Sequence, residues 1–140
     1  MQKLYTAHAS STGGRTGHAR TDDGKIDVDL STPKEMGGDG GAGTNPEQLF
    51  AAGYSACYLG ALKFVAGREK VKVGADATVS AAVSFGKRDD GEGFGLAVEL
   101  TVHVPGVDEA TVRSLAEKAH VVCPYSHATR GNIEVTTKVA

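Results

Sequence analysis

The first third of the chain alternates apolar and polar residues in short runs, the pattern typical of half-buried β-strands. It is clearest in "KIDVDLS", where Ile26, Val28 and Leu30 alternate with two aspartates. Two earlier segments, residues 3–10 and 15–21, are also predicted to form short strands. The front of the chain is therefore predicted to form a small sheet of short strands.

A glycine-rich stretch, "EMGGDGGAG", follows the third predicted strand. No Lys-Ser/Thr pair comes after the glycines, and their spacing is not that of a dinucleotide-binding turn. The stretch is therefore predicted to be a surface connection rather than a phosphate-binding loop.

The next segment, "NPEQLFAAGYSACYLGALKF", predicts a helix with a well-marked start. Asn45 is a suitable cap, Pro46 suits the first turn, and Gln48 lies where the partner residue of a capping box is found. From Leu49 onward the segment is apolar nearly all round, which predicts burial on most sides. Its uncharged run, residues 49–62, is too short to span a bilayer and favours a buried helix.

The second half of the chain contains longer elements. Residues 75–88 and 94–104, joined by "DDGEG", predict an antiparallel hairpin. Residues 107–122 predict an amphipathic helix capped by Asp108, with one apolar face formed by Val112, Leu115, Ala119 and Val122.

After that helix, "YSHATRG" predicts a turn or short helix, and "NIEVTTKV" predicts a final strand. Strands and helices in separate blocks indicate an α+β fold. The 140 residues are enough for one domain with its own core, so residues 1–140 are predicted to form a single domain.

Composition narrows the possible partners. The formal net charge is −2 and no basic block occurs, which disfavours nucleic acid as a partner. The amino terminus, "MQKLYTAHAS", lacks the apolar core of a signal peptide. The expected location is therefore the cytoplasm, without membrane association. In that compartment a pair of cysteines is more often catalytic, redox-active or metal-bound than a structural disulfide.

The two cysteines, Cys57 and Cys123, are the main candidates for chemistry. Free cysteine is often an inert core residue, and reactivity requires a thiolate, whose formation a nearby cation favours. Cys57 lies several turns past the predicted helix start, so the helix dipole gives it little help. The two thiols can be joined only if the fold brings their Cα atoms within about 7 Å. From spacing alone, both the inert and the paired interpretation stay open.

A zinc site and a serine hydrolase are the two alternative chemistries. His120, Cys123 and His127 fall close together, and Cys57 could complete a zinc ligand set, although no C-x-x-C or H-E-x-x-H spacing occurs. A serine hydrolase lacks its G-x-S-x-G elbow. Glu47 in the first helical turn and Arg15 in "GGRTG" each have a simple structural explanation when taken alone.

Taken together, these segments resemble the organic hydroperoxide resistance (Ohr) family, within the wider superfamily of OsmC-type peroxidases. The resemblance runs almost end to end and rests on "GGRTG", "STPKEMGGDGGAGTNPEQLFAAGYSACYLGALKF" and "VCPYSHATRGN". One departure is His127, which stands where the last motif of the family has asparagine. It puts in doubt little beyond local hydrogen bonding.

The resemblance implies an OsmC-like fold, with antiparallel sheets packed on a long buried central helix, in an intertwined homodimer. It implies a thiol peroxidase for alkyl and fatty-acid hydroperoxides, with Cys57 as the peroxidatic thiol and Cys123 as the resolving thiol. Arg15 and Glu47 would be the activating pair. No metal, haem or flavin is expected, and a dihydrolipoyl group, free or on a lipoylated protein, would be the external reductant.

The chemistry of these residue types agrees with the implied roles. Arginine stays charged at any working pH and stabilises both a thiolate and a developing alkoxide. Glu47 can hold the guanidinium of Arg15 by a bidentate pair. In one straight helix, however, Glu47 and Cys57 lie about 15 Å apart and differ in direction by about 80°. Both can contact one Arg15 head group only if the helix bends or a second chain contributes. Given the dimer that the resemblance implies, we expect Arg15 and Glu47 to act on Cys57 of the partner subunit.

Five aromatic residues are candidates to surround the substrate: Phe50, Tyr54, Tyr58, Phe94 and Tyr125. Each could equally be ordinary core packing. An apolar lining would favour alkyl or aryl hydroperoxides over hydrogen peroxide, because burial rewards apolar groups by about 25 cal/mol per Å². The alternative from another class is a non-catalytic module of the same fold that binds an apolar ligand.

Overall fold

A computed structural model describes all of residues 1–140, and it has the predicted α+β composition. Tertiary contacts divide the chain into two units, Met1–Leu49 and Phe50–Ala140. In chain order the elements are β1 (Ala9–Thr12), β2 (His18–Thr21), β3 (Asp27–Asp29), α1 (Pro46–Arg68), β4 (Thr78–Lys87), β5 (Phe94–His103), α2 (Glu109–Val122), α3 (Pro124–Thr129) and β6 (Glu134–Val139).

The first unit is built on an antiparallel sheet in the order β1-β2-β3. Thr12 pairs with His18, so the residues between them form the loop of a hairpin. The prediction of a strand from residue 3 was wrong, because only residues from Ala9 onward pair. Leu4 and Tyr5 remain 91% and 82% exposed, since no strand of the chain lies beside them. The glycine-rich stretch is a loop, as predicted. A short 3-10 turn, Lys34–Met36, leads into it.

The start of α1 follows the predicted chemistry in most respects. Pro46 is its first residue, and the Asn45 side chain accepts a hydrogen bond from the Gln48 amide at 2.8 Å. The capping-box role of Gln48 was wrong: its side-chain oxygen accepts from the Thr44 hydroxyl at 2.7 Å instead. The parallel bridge between Leu30 and Thr44 ties this start to the end of β3.

The second unit packs its helices on a mixed sheet in the order β4-β5-β6. The predicted hairpin of β4 and β5 is confirmed, with Thr78 opposite His103. The expectation of antiparallel sheets was wrong for this sheet: β6 lies parallel to β5, because the chain crosses between them through α2 and α3. Asp108 caps α2 as predicted, accepting from the Thr111 amide at 2.9 Å. Of the predicted apolar face of α2, Val122 alone is exposed, because α2 ends there.

The core of the second unit lies between α1, β5 and α2. From α1 it takes the buried residues Tyr54, Tyr58, Ala61, Leu62, Val65 and Ala66. Burial of α1 on most sides was predicted, but it holds for one face only. Another face, formed by Ala52, Ala56, Gly60 and Phe64, is exposed to solvent in the single chain.

By length and composition alone, α1 could cross a membrane. Its 23 residues have a mean hydropathy of 1.4 over the most apolar window, and a third of that window is buried inside the chain. Core helices of soluble proteins pass the same test, so this property does not by itself indicate a membrane span.

Candidate functional site

The two cysteines, far apart in sequence, come together in the second unit. Cys57 lies on α1 and is half-buried, whereas Cys123 is fully buried. Both are free thiols, and the Sγ atoms are 3.7 Å apart, with the Cys123 thiol donating to Cys57. A disulfide needs about 2.0 Å between the sulfurs. The pair is therefore a dithiol whose sulfurs lie within reach of each other, which is the geometry that the paired interpretation requires.

The position of Cys123 follows from the residue after it. Pro124 begins α3, and a proline disfavours helical geometry in the residue before it. Cys123 accordingly has φ −66° and ψ 120°, so it ends α2 and begins the turn into α3. Its amide still donates to the Ala119 carbonyl at 2.8 Å. The sequence "VCPYS" therefore places a thiol at the junction of two helices.

The surroundings of Cys57 within the second unit oppose ionisation. Burial raises the pKa of the Cys57 thiol, and the neighbouring Cys123 thiol raises it further. The backbone N–H of Tyr125 acts in the opposite direction on that pKa, without reversing it. Because the thiolate is the nucleophile, an efficient reaction at Cys57 requires a cation to favour its charged form.

Four of the five predicted pocket residues form one aromatic cluster in the second unit. The Tyr54 ring lies 5.9 Å from Phe50, 5.6 Å from Tyr125 and 6.5 Å from Tyr58, measured between centroids. The Phe50 and Tyr125 rings are 5.8 Å apart. Such spacings are typical of favourable edge-to-face and tilted aromatic pairs.

A glycine is required where Tyr125 meets α1. A Cβ atom at Gly53 would lie 2.9 Å from the Tyr125 hydroxyl oxygen and 3.3 Å from a ring carbon. Distances this short would force the ring to move. Gly53 therefore allows the Tyr125 ring to lie against the helix that carries Cys57.

Phe94 lies apart from the aromatic cluster. It stacks on Phe85 at 4.8 Å near the turn of the β4–β5 hairpin and is 63% exposed. An open groove of about 750 Å³ surrounds these two rings and the charged residues of the turn. No cysteine lines this groove, so its size does not make it the reactive site.

In the first unit, Arg15 and Glu47 form the predicted bidentate pair. Nη1 of Arg15 donates to Oε2 of Glu47 at 2.8 Å, and Nη2 donates to Oε1 at 2.7 Å. The hydrogen bonds from Arg15 hold the pKa of Glu47 below its usual range, and Glu47 raises the pKa of Arg15. Both groups are therefore charged, and the carboxylate holds the plane of the guanidinium.

Glycines shape the loop that carries Arg15. Gly13 and Gly14 have φ of 66° and 58°, values that side chains with a Cβ rarely adopt. At Gly17 a Cβ would lie 1.8 Å from the Thr12 carbonyl oxygen, so the hairpin closes only with glycine there. In "GGRTG" the glycines hold the backbone of the loop that presents the arginine.

The residues of the zinc alternative do not converge on one point. No group of three or more His, Cys, Asp or Glu side chains is arranged to hold a metal ion. Both ring nitrogens of His120 contact hydroxyl groups, those of Ser126 at 2.9 Å and Thr137 at 2.8 Å. His127 is exposed on α3. The arrangement therefore favours thiol chemistry over a metal site.

Sequence reasoning missed the buried hydroxyl groups behind Cys123. Ser126 and Thr129 are buried, with 3% and 6% of their surface exposed, and the hydroxyl of each shares a hydrogen bond with the Tyr54 hydroxyl. Polar residues in a short helix are usually exposed. The signal that could have found them is their spacing of three, which puts both on one face of α3.

A family model, a sequence relative and solved structures are similar to this chain. The family model described as OsmC-like protein matches residues 37–138. The organic hydroperoxide resistance protein of Xanthomonas axonopodis pv. citri is 55% identical over 137 residues, covering 98% of this chain and 95% of the relative.

Solved structures agree with the sequence comparison. A crystal structure of an organic hydroperoxide resistance protein from Elizabethkingia anophelis has a TM-score of 0.92 and 49% identity, and covers 100% of this chain and 99% of its own. The crystal structure of the organic hydroperoxide resistance protein OhrB of Bacillus subtilis has a TM-score of 0.91 and 41% identity, with 99% and 100% covered. These chains share the architecture over their whole length.

Proposed function

The chain belongs to the OsmC-like family, and within it to the organic hydroperoxide resistance proteins, and from that membership we propose that it is a cysteine-based peroxidase of organic hydroperoxides. Its relatives are named for resistance to organic hydroperoxides, which supports a role in detoxifying peroxides. The predicted OsmC-like fold is confirmed by the solved structures. The observation that carries the mechanism is the 3.7 Å distance between the Sγ atoms of Cys57 and Cys123.

In the proposed first step, the Cys57 thiolate attacks the terminal oxygen of the hydroperoxide. The O–O bond breaks, the alkoxide leaves and takes a proton to become an alcohol, and Cys57 becomes a sulfenic acid. Arg15, held by Glu47, would supply the cation that the Cys57 thiol needs and would stabilise the leaving alkoxide. This role rests on the family resemblance and on the charge of the pair.

In the proposed second step, the Cys123 sulfur attacks the sulfur of the Cys57 sulfenic acid. An S–S bond forms, the S–O bond breaks, and the hydroxyl group leaves as water with the proton of Cys123. A small dithiol, for which a dihydrolipoyl group is the candidate, would reopen the disulfide by thiol–disulfide exchange. The cycle would need no bound metal or organic cofactor.

The proposed partners are a second copy of the chain, the hydroperoxide, and dihydrolipoamide or a lipoylated protein in the cytoplasm; nucleic acid and membrane are not expected. The homodimer is supported by the exposed face of α1, which includes Phe64 at 53% exposure. The aromatic cluster of Phe50, Tyr54, Tyr58 and Tyr125 is the proposed contact for an alkyl or aryl group, and Phe94 is the least supported of the five.

A steady-state assay tests the proposal. Reduced protein is given dihydrolipoamide and either cumene hydroperoxide or hydrogen peroxide, and peroxide consumption is followed for the unmodified chain, Cys57→Ser and Cys123→Ser. We expect turnover that prefers the organic peroxide, is lost in Cys57→Ser, and is strongly reduced in Cys123→Ser. If none of the three proteins consumed peroxide, the peroxidase proposal would be rejected, and a non-catalytic binding module of the same fold would remain.

A further inference from the structure

A network of hydrogen-bonded side chains lies behind Cys123, and neither proposed step of the peroxidase reaction uses it. Ser126 lies at its centre: its Oγ is 3.0 Å from the Tyr54 hydroxyl and 2.9 Å from Nδ1 of His120. Nε2 of His120 is 2.8 Å from the Thr137 hydroxyl. The Tyr54 hydroxyl also lies 3.2 Å from the hydroxyl of Thr129. The network therefore joins α3 to α1, α2 and β6.

Burial restricts the members of this network to few positions. Tyr54, Ser126 and Thr129 have almost no exposed surface, and no buried side-chain polar atom in the chain lacks a hydrogen-bond partner. A buried polar group is costly when unpaired, so a fully paired buried network allows few alternative positions for its members. The short helix α3 is thus held in one place from three sides.

The network acts on Cys123, the residue that caps the start of α3. The Cys123 carbonyl accepts from the His127 amide at 3.0 Å, and the carbonyl of His120 accepts from Nη2 of Arg130 at 2.6 Å. A shift of α3 would therefore move the Cys123 backbone. Because the two sulfurs already stand at 3.7 Å, a small displacement changes how often they reach bonding distance.

We propose that the Ser126-centred network, with His120, Tyr54 and Thr129, positions Cys123 for attack on the oxidised sulfur of Cys57. These are positioning residues, since the side-chain hydrogen bond at the two sulfurs is the one between Cys123 and Cys57. The inference rests on the proposed peroxidase function. It assigns the network to the disulfide-forming step and not to the reduction of the peroxide.

The step balances without a further reactant. The Cys123 sulfur forms the S–S bond, and the S–O bond of the Cys57 sulfenic acid breaks. The hydroxyl group leaves as water after taking the proton of the Cys123 thiol. If Cys123 is held less well, the sulfenic acid persists. A second hydroperoxide can then oxidise it to a sulfinic acid, which thiols do not reduce.

The variants that test the network are Ser126→Ala and Thr129→Val, which remove buried hydroxyl groups while roughly keeping volume. Thr129→Ser retains the hydroxyl and should behave as the unmodified chain. The matched control is Val112→Ala, which loosens the core at α2 but leaves the network intact. Circular dichroism and gel filtration establish that each variant is folded.

Rapid mixing with one equivalent of cumene hydroperoxide separates the two steps. We expect the rate of peroxide loss to stay within about twofold in all variants. Loss of buried hydrogen bonds should slow disulfide formation about tenfold in Ser126→Ala and Thr129→Val. With excess peroxide, mass spectrometry should find more sulfinic acid on Cys57 in these two variants than in Thr129→Ser or Val112→Ala.

A second readout does not depend on peroxidase activity. The Cys57–Cys123 disulfide is equilibrated with oxidised and reduced dithiothreitol, and the effective concentration of the pair is measured. We expect a fall of about tenfold in Ser126→Ala and Thr129→Val, and none in Val112→Ala.

The outcomes are distinct. If Ser126→Ala and Thr129→Val form the disulfide as fast and as tightly as the unmodified chain, or if Val112→Ala is affected equally, the positioning role is overturned. If the unmodified chain consumes no peroxide but the equilibrium shift in the two hydroxyl variants remains, the peroxidase proposal fails while the positioning of Cys123 stands.

Discussion

At the scale of single residues, the reactivity of Cys57 depends on two opposing effects. Burial and the Cys123 thiol raise the pKa of Cys57, which disfavours the nucleophilic form. The proposed source of the opposing positive charge is Arg15, whose guanidinium donates two hydrogen bonds to the Glu47 carboxylate. Only arginine offers two parallel donors to one carboxylate, so lysine at this position would keep the charge and lose the geometry.

Arg15→Lys is therefore predicted to reduce activity strongly, although the substitution retains the positive charge. We expect kcat/KM for an organic hydroperoxide to fall about tenfold to a hundredfold, as one charge-assisted hydrogen bond is lost. The pH midpoint for alkylation of Cys57 by iodoacetamide should rise in the same variant. Arg20→Lys is the matched control, because Arg20 makes a single exposed ion pair with Asp27 at 3.4 Å. Equal kinetics in both variants would show that the fork of Arg15 has no role.

Residues also mark the limit of what the sequence could predict. The thiol pair and the Arg15–Glu47 pair could be predicted because each lies in a specific motif and has a chemistry of its own. Ser126 and Thr129 were missed, because their spacing of three places both on one face of α3 but does not say whether that face is buried. The position of Phe94 could not be predicted either, since periodicity identifies the apolar face of a strand but not the ring against which each side chain packs.

At the scale of elements, local signals predicted best where they act within a few residues. Asn45 and Asp108 cap α1 and α2 as expected, and "DDGEG" joins a hairpin. Prediction failed where the outcome depends on a distant partner. Residues 3–8 were predicted to be part of a strand, yet their own chain offers no strand to pair with.

The element α2 contains a titratable group that should affect stability. Burial, and then the charge of Arg130, lower the pKa of His120 below its ordinary value of 6.5. Below pH 6.5 the unfolded chain binds a proton that the folded chain does not, so the free energy of unfolding should decrease as pH falls through that window. Above pH 6.5 this contribution is fully present.

Urea unfolding between pH 7.5 and 5.0 checks this dependence, with His120→Gln as the comparison. The variant should be less stable at pH 7.5 but should lose less stability on acidification. His18 does not confuse the result. Its contacts with Asp29 and Asp27 raise the pKa of His18, so its contribution is present below pH 6.5 and is lost as pH rises through the raised value. A slope unaffected by His120→Gln would contradict the assignment.

At the scale of the whole molecule, the proposal requires a homodimer in which each chain completes the site of the other. The straight-helix geometry that separates Glu47 from Cys57 motivates this arrangement. The unpartnered face of α1, with Ala52, Ala56 and Gly60, would suit close contact with a second copy. Symmetric dimers of this kind bury the same surface on both chains.

A subunit-mixing experiment tests sharing between chains. Arg15→Ala and Cys57→Ser are each expected to be inactive alone. After unfolding and refolding together, half of the dimers would contain both chains, and each would regain one complete site, giving about a quarter of full activity. The mixture would stay inactive if Arg15 acted within its own chain.

The most direct test of the central claim is the product of a single turnover. Fully reduced protein is mixed with one equivalent of an alkyl hydroperoxide in the absence of any reductant, and its proteolytic fragments are analysed by mass spectrometry. A working pair predicts one alcohol released per chain and a disulfide that links the fragments carrying Cys57 and Cys123 within one chain. Recovery of both fragments as free thiols, with the hydroperoxide intact, would contradict the account.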